Sequence, residues 1–241
     1  MTVDILAVGA HPDDVELSAA GTLLRQVDRG YTFGLLDLTR GELGSRGSAA
    51  LRTQEAQAAA QLLGATFRMQ LDLPDGFFDN SRENLLAVVR VVRQCRPRIV
   101  LCNAPSDRHP DHGRAARLVA DACFYAGLLK VETTDDLGSP QQPWRPQLVF
   151  HYVQDRYLTP HFIVDITPYF ERKMQAILAF RSQFYNPDTP EEGPQTPISS
   201  KDFLDFIEAK ARVFGRSAQV RYAEGFLCSR IPAVSDLFAL A

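Results

Sequence analysis

The sequence predicts an α/β fold with a mostly parallel sheet and helices on both of its faces. Apolar runs of strand length alternate with longer amphipathic stretches through the first two-thirds of the 241 residues, and such alternation favours parallel strands joined by crossover helices. A His-Pro-Asp turn follows two of these runs. In this Rossmann-like arrangement the carboxyl ends of the parallel strands share one edge, where we expect the active site.

Each apolar run predicts a strand, and each amphipathic stretch predicts a helix. The expected strands are residues 3–9, 33–38, 67–71, 99–103, 148–153 and 162–166. The expected helices are residues 15–29, 51–63, 82–95, 112–125, 169–180 and 201–214. The pattern is clearest in the fourth helix, where Leu118, Val119 and Ala122 share one face at helical spacing.

Three segments have the composition of loops. Residues 39–48 are rich in Gly and Ser, residues 133–146 are polar, and residues 186–200 contain four prolines, which is typical of a mobile or overlying loop. No repeat and no linker is visible. We therefore expect one domain over residues 1–241, with a carboxyl-terminal extension from about residue 168 packed on it.

Composition limits the partners and the compartment. A net charge of −3 gives no electrostatic reason to expect nucleic acid or an anionic membrane as a partner. No apolar run reaches membrane-spanning length, and Met1 leads into a strand without the basic flank of a signal peptide. The four cysteines form no Cys-x-x-Cys pair, which favours free thiols in a reducing cytoplasm.

The first chemical motif is Ala-His-Pro-Asp-Asp over residues 10–14, where the first strand gives way to a helix. Side chains in such a turn project from the carboxyl edge of the sheet. His11 and Asp14 are close enough in sequence to bind one ion, while Asp13 stays free of it. Alternatively, an aspartate here merely caps the helix.

The second motif, His-Pro-Asp-His over residues 109–112, also follows an apolar run and also opens a helix. Helix capping does not explain two His-Pro-Asp turns at one edge of a sheet. Two imidazoles and one carboxylate, with coordination positions left for water, indicate a catalytic zinc site rather than a structural one. Fe(II) or Co(II) could occupy the same donor set.

The same residue types predict a hydrolytic mechanism. Zinc lowers the pKa of bound water towards neutrality, and Asp13 is the spare carboxylate that takes its proton. Attack on an acetamide produces an oxyanion, which His109 is able to stabilise before it protonates the leaving amine. Asp111 is expected to hold the His109 ring and raise its basicity.

These motifs resemble the LmbE/PIG-L family of zinc N-deacetylases, and the resemblance extends over nearly the whole chain. One branch, the bacillithiol biosynthesis deacetylases, is similar in further stretches: residues 37–39 with 41–42, 51–56, 107–112, 182–184 and 222–226. That branch converts N-acetylglucosaminyl malate to glucosaminyl malate. The resemblance therefore implies a small sugar substrate and, because family members are often hexameric, a homo-oligomer.

The resemblance also implies roles for the motif residues. The zinc ligands of the family fall on His11, Asp14 and His112, and its general base falls on Asp13.

Other family positions concern the leaving group and the substrate. The oxyanion or acid histidine falls on His109, with its aspartate partner at Asp111, and a substrate-contacting arginine falls on Arg52. The carboxylates of malate need cationic partners. Arg46 and Arg108 lie in or beside the edge loops and are further candidates for that role.

Three other functions stay open at this point. The enzyme could act on another N-acetylglucosamine-containing sugar or on a thiol conjugate. A nucleotide-binding protein is disfavoured, because the first turn lacks Gly-x-Gly-x-x-Gly and its two carboxylates would repel a pyrophosphate. A metal-binding scaffold without catalysis is disfavoured because Asp13 is present although the metal does not need it.

Overall fold

The computed structural model describes residues 1–185 and 193–236, and this part of the chain forms seven strands and six α-helices. The strands are β1 (Ile5–Gly9), β2 (Phe33–Asp37), β3 (Phe67–Gln70), β4 (Ile99–Cys102), β5 (Leu148–Tyr152), β6 (Phe162–Asp165) and β7 (Ala223–Cys228). The helices are α1 (Asp14–Val27), α2 (Ala49–Leu63), α3 (Arg82–Cys95), α4 (Pro110–Ala126), α5 (Phe170–Leu178) and α6 (Lys201–Ser217). Residues 186–192 of the proline-rich loop lie outside the described residues.

All seven strands belong to one sheet with the order β3-β2-β1-β4-β5-β7-β6. The pairs among β1 to β5 are parallel, whereas β7 runs antiparallel to both β5 and β6. The predicted α/β fold class is therefore confirmed. The strand order reverses between β1 and β4, and in such sheets ligands bind in the crevice at the carboxyl ends of the strands that flank this point. Both His-Pro-Asp turns follow these two strands.

Strand β7 is not among the predicted strands. Its sequence, Ala-Glu-Gly-Phe-Leu-Cys, contains Glu and Gly, which are depleted in strands. Glycine suits position 225, because a Cβ there would lie 3.0 Å from Cβ of Pro160 and 3.2 Å from the Phe214 ring and would press on both. The strand therefore depends on its neighbours β5 and β6 rather than on local propensity.

Hydrophobic cores cover the sheet on both sides. Helices α3 and α4 pack together over one face, with Val88, Val92 and Leu118 buried beneath them. On the other face α1 contacts α2 and α5 and buries Leu23 and Leu24. Within the described ranges, none of the helices is both long and apolar enough to cross a membrane.

Candidate metal centre and active site

The turn after β1 has an unusual backbone at Asp13. This residue precedes α1 with φ 115° and ψ −23°, a left-handed conformation that side chains with a Cβ rarely adopt. Its side chain makes no hydrogen bond to the amides of the first helical turn. Instead, Nη2 of Arg52 donates to Oδ2 of Asp13 over 2.6 Å. The Asp13 side chain is therefore not a helix cap, and the strained turn presents it to a cavity.

The turn after β4 begins α4 with a sequence that suits a helix start. His109 is the N-cap residue and Pro110 occupies the first turn, where its missing N–H costs nothing. Nδ1 of His109 accepts the backbone N–H of Asp111 over 3.3 Å. His112, in the same first turn, is buried and faces the turn after β1.

Asp14 lies between two imidazoles. Its Oδ2 is 3.7 Å from Nδ1 of His11, and its Oδ1 is 3.2 Å from Nε2 of His112. His109 is also near, because the candidate ligand nitrogens of the three histidines all lie within 4.8 Å of one another. The structure thus brings together the three predicted ligands, His11, Asp14 and His112, with His109 beside them.

The outer nitrogen of each of the two buried imidazoles is held by further carboxylates. Nε2 of His11 lies 3.0 Å from Oδ1 of Asp75 and 3.2 Å from Oδ2 of Asp111. Nδ1 of His112 lies 2.6 Å from Oδ2 of Asp107. A carboxylate behind a histidine fixes its tautomer and ring orientation, which is the usual support of a metal-binding imidazole. These contacts leave the other nitrogen of each ring directed at Asp14.

The charges around the centre favour a cation. Burial opposes the charged form of His11, but hydrogen bonds to Asp111 and Asp75 outweigh burial and raise its pKa to about 10. Burial likewise opposes the charged form of His112, but the charge of Asp14 and the bond to Asp107 raise its pKa to about 9. The negative potential that stabilises protonated imidazoles would also stabilise a divalent ion, so the donor set fits a metal.

Asp13 and His109 have environments that differ from those of the central residues. Burial raises the pKa of Asp13 to about 6, although the charge of Arg52 opposes this shift. Burial, together with the charges of neighbouring His11 and His112, lowers the pKa of the half-buried His109. Asp13 and His109 both line the cavity. Neither takes part in the carboxylate–imidazole contacts that hold His11, Asp14 and His112.

The expected hydrogen bond between the Asp111 carboxylate and His109 is not formed, and this part of the prediction was wrong. The Asp111 oxygens instead contact Nε2 of His11, accept the Gly76 N–H over 2.8 Å and accept Nη1 of Arg114 over 2.7 Å. Residues two apart on a helix do not face each other. The ring of His109 therefore receives the backbone amide of Asp111, and the carboxylate supports His11.

The three arginines suggested for the substrate occupy different places. A cavity of about 290 Å³ lies over the centre, and its lining includes His11, Asp13, Asp14, His109, His112, Arg52 and Arg108. The Arg52 guanidinium is buried against Asp13 and the Pro12 carbonyl. Arg108 is half-exposed and pairs with Asp155 over 2.9 Å. Arg46 lies outside the cavity lining and donates to the carbonyls of residues 182 and 194.

Sequence reasoning missed four residues at the centre: Asp75, Asn103, Asp107 and Gln154. Asn103 and Asp107 follow β4, and Gln154 follows β5, so a systematic reading of every strand end at this edge would have found them. Asp75 lies five residues after the end of β3, as Asp107 lies five residues after the end of β4, so the same reading would have found it.

Comparison with known proteins adds to this geometry. Residues 6–123 match the family model described as PIG-L, GlcNAc-PI de-N-acetylase. The chain is 30% identical over 231 residues to the diacetylchitobiose deacetylase of Thermococcus kodakarensis, covering 92% of this chain and 81% of that protein. It is 25% identical to the "probable N-acetyl-alpha-D-glucosaminyl L-malate deacetylase 2" of Bacillus anthracis, covering 75% and 81%.

Two further similarities concern the fold and the range of activities. The crystal structure of the conserved protein TT1542 from Thermus thermophilus has a TM-score of 0.85 and 35% identity, with 98% of this chain and 99% of that chain covered. The 4-oxalmesaconate hydratase of Pseudomonas putida is 27% identical, with 97% and 92% covered. Proteins with deacetylase names and one with a hydratase name are thus similar to the chain.

Proposed function

Because the chain belongs to the PIG-L/LmbE family of deacetylases, we propose that it hydrolyses the acetamide of an N-acetylglucosamine-containing glycoside with the help of one zinc ion. The observation that carries the proposal is the position of Asp14 between the inner nitrogens of His11 and His112, beside an Asp13 that neither imidazole holds. Fe²⁺ or Co²⁺ would suit the same donors.

The proposed ligands are His11, Asp14 and His112 rather than the three histidines. Both ligand imidazoles have a carboxylate behind the outer ring nitrogen, as metal-binding histidines usually do. Among the described residues, no carboxylate is hydrogen-bonded to the His109 ring, whose Nδ1 accepts a backbone amide and caps α4. His109 therefore keeps its Nε2 for the substrate.

Asp13 and His109 then have separate roles in the reaction. A metal bound by these ligands supplies a Lewis acid that activates water and polarises the amide carbonyl. Asp13 takes a proton from the attacking water. His109, whose Nδ1 accepts a backbone amide and whose single proton is therefore on Nε2, donates a hydrogen bond to the carbonyl oxygen as negative charge develops there. The proton that Asp13 took from water passes to the amine as the C–N bond breaks. Acetate and the free amino sugar are the products.

For the substrate, we propose N-acetylglucosaminyl malate. Arg108 supports this choice, because its half-exposed guanidinium lies at the cavity and is paired only with Asp155 among the contacts of its side chain in the described ranges. A malate carboxylate could replace Asp155 and bind the guanidinium with two hydrogen bonds. Diacetylchitobiose, which carries no carboxylate, is the competing substrate.

The experiment measures acetate release from N-acetylglucosaminyl malate, diacetylchitobiose and free N-acetylglucosamine by zinc-loaded protein. The control is Asp13→Ala with its zinc content measured. We expect the malyl glycoside to react fastest, and we expect Asp13→Ala to abolish release while zinc stays bound. Faster reaction of diacetylchitobiose would exclude the malyl substrate and keep the deacetylase. No release from any acetamide, together with hydration of an unsaturated dicarboxylate, would refute the deacetylase proposal.

A further inference from the structure

Two buried side-chain amides hold the carboxylate of Asp14. Nε2 of Gln154 donates to Oδ1 over 2.6 Å, and Nδ2 of Asn103 donates to Oδ2 over 2.9 Å. Asn103 is fully buried and Gln154 is 5% exposed. The two amides come from the ends of neighbouring strands, β4 and β5, and meet Asp14 at the start of α1. Each carboxylate oxygen therefore has its own amide donor.

The direction of every hydrogen bond in this group follows from one backbone amide. The Ala10 N–H donates to Oδ1 of Asn103 over 2.9 Å, so the oxygen of Asn103 must face the turn after β1. Nδ2 of Asn103 then has one N–H for Asp14 and one for Oε1 of Gln154, which is 3.1 Å away. Since Oε1 of Gln154 is an acceptor, its Nε2 must face Asp14. Neither amide can flip without breaking two of these bonds.

The amides and the imidazoles share the oxygens of Asp14. Oδ1 faces both Gln154 and His112, and Oδ2 faces both Asn103 and His11. Rotation of the carboxylate about its Cβ–Cγ bond would break both amide contacts. The His11 backbone N–H also donates to Oδ2, over 3.0 Å, and together with it the two amides fix the plane of the carboxylate relative to both rings.

We propose that Asn103 and Gln154 are positioning residues, which lock the Asp14 carboxylate in the orientation that binds the metal ion. The proposal rests on the metal site of the proposed function, but it does not depend on which substrate is hydrolysed. Supporting hydrogen bonds to metal ligands typically change metal affinity or activity by about 10- to 100-fold. A purely structural role would affect unfolding of the metal-free protein and leave the zinc affinity unchanged.

The test replaces the Gln154 amide by a thioether of similar length, Gln154→Met. The zinc dissociation constant is measured by competition with a chromophoric chelator, and the thermal midpoint of the metal-free protein is measured beside it. Gln183→Met is the matched control, because Gln183 is also 5% exposed and lines the same cavity. Its Nε2 donates to the Arg46 carbonyl and to Ser182 rather than to Asp14.

We expect Gln154→Met to weaken zinc binding about 10- to 100-fold and Gln183→Met to leave it unchanged. A second variant, Asn103→Leu, removes both donors without adding a charge, and we expect the same loss of affinity together with an altered visible spectrum of the Co²⁺-loaded protein. Unchanged zinc affinity in both folded variants would overturn the proposal, as would an equal loss in Gln183→Met. If the wild-type protein binds zinc but releases no acetate, the proposed function fails and this inference stands.

Discussion

The variant Arg52→Met distinguishes between two possible roles of Arg52, which are to hold Asp13 in position and to bind the substrate. Nη2 of Arg52 donates to Asp13 over 2.6 Å and to the Pro12 carbonyl over 2.9 Å, and Nε donates to the same carbonyl over 3.2 Å. The residue is only 8% exposed. A Cβ at Gly41 would lie 2.6 Å from Nη1, so a side chain at residue 41 would displace the guanidinium from its present position. These contacts favour the positioning role.

The expected magnitude follows from the contact with Asp13. A hydrogen bond to a charged group contributes about 1.5–3 kcal/mol, and each 1.36 kcal/mol of transition-state stabilisation corresponds to about tenfold in rate. If the contact holds the base in its reactive position, Arg52→Met should lower kcat by about 10- to 150-fold. KM should change less than about threefold, because no ground-state contact with the substrate is removed.

The assay is acetate release over a range of substrate concentrations, with zinc content and thermal midpoint measured on the same samples. Arg52→Lys should lie between wild type and Arg52→Met, because an ammonium group cannot serve Asp13 and the Pro12 carbonyl with the same planar geometry. Arg108→Met is the matched control and should raise KM for the malyl glycoside instead. A raised KM with unchanged kcat in Arg52→Met would refute the positioning role and favour direct substrate binding.

Three further predictions concern the metal and the fold. Asp107→Asn should weaken zinc binding about 10- to 100-fold, measured by chelator competition, because the charge behind His112 is lost; unchanged affinity would contradict this role. Lys173→Met leaves the buried Glu224 without its cation and should destabilise the protein by about 3–5 kcal/mol, measured by chemical denaturation. The double variant Lys173→Met/Glu224→Gln should lose less stability, because it leaves no unpaired charge buried. An equal loss of stability in the two variants would contradict this explanation. Zinc at about 100 times its dissociation constant should stabilise the metal-free protein by about 2.7 kcal/mol, which is about 5–10 °C in the thermal midpoint; a midpoint independent of zinc would exclude a folded-state metal site.

The strands of the parallel part of the sheet were predictable because they are buried on both faces. Residues 5–9, 33–37 and 99–102 are almost continuous apolar runs, and such runs are distinctive in a sequence. The His-Pro-Asp turns were also predictable as neighbours, since the carboxyl ends of β1 and β4 lie beside each other at the point where the strand order reverses. Strand β7 was not, because its pairing with β5 and β6 overrides its own weak propensity.

The sequence by itself determined the fold class, the edge of the sheet that carries the site and the residue types that gather there, because hydrophobic periodicity and the position of a strand end are local properties. Only the tertiary structure decided which partner each of these residues has. Asp14 receives its amides from residues 89 and 140 positions away, and Asp111 supports His11 from 100 positions away rather than its neighbour His109. A hydrogen bond is formed between atoms within about 3 Å and at a suitable angle, and these distances are set by strand register and helix orientation. For this reason the sequence indicated which residue types form the site, but it did not indicate which of their atoms form hydrogen bonds with one another.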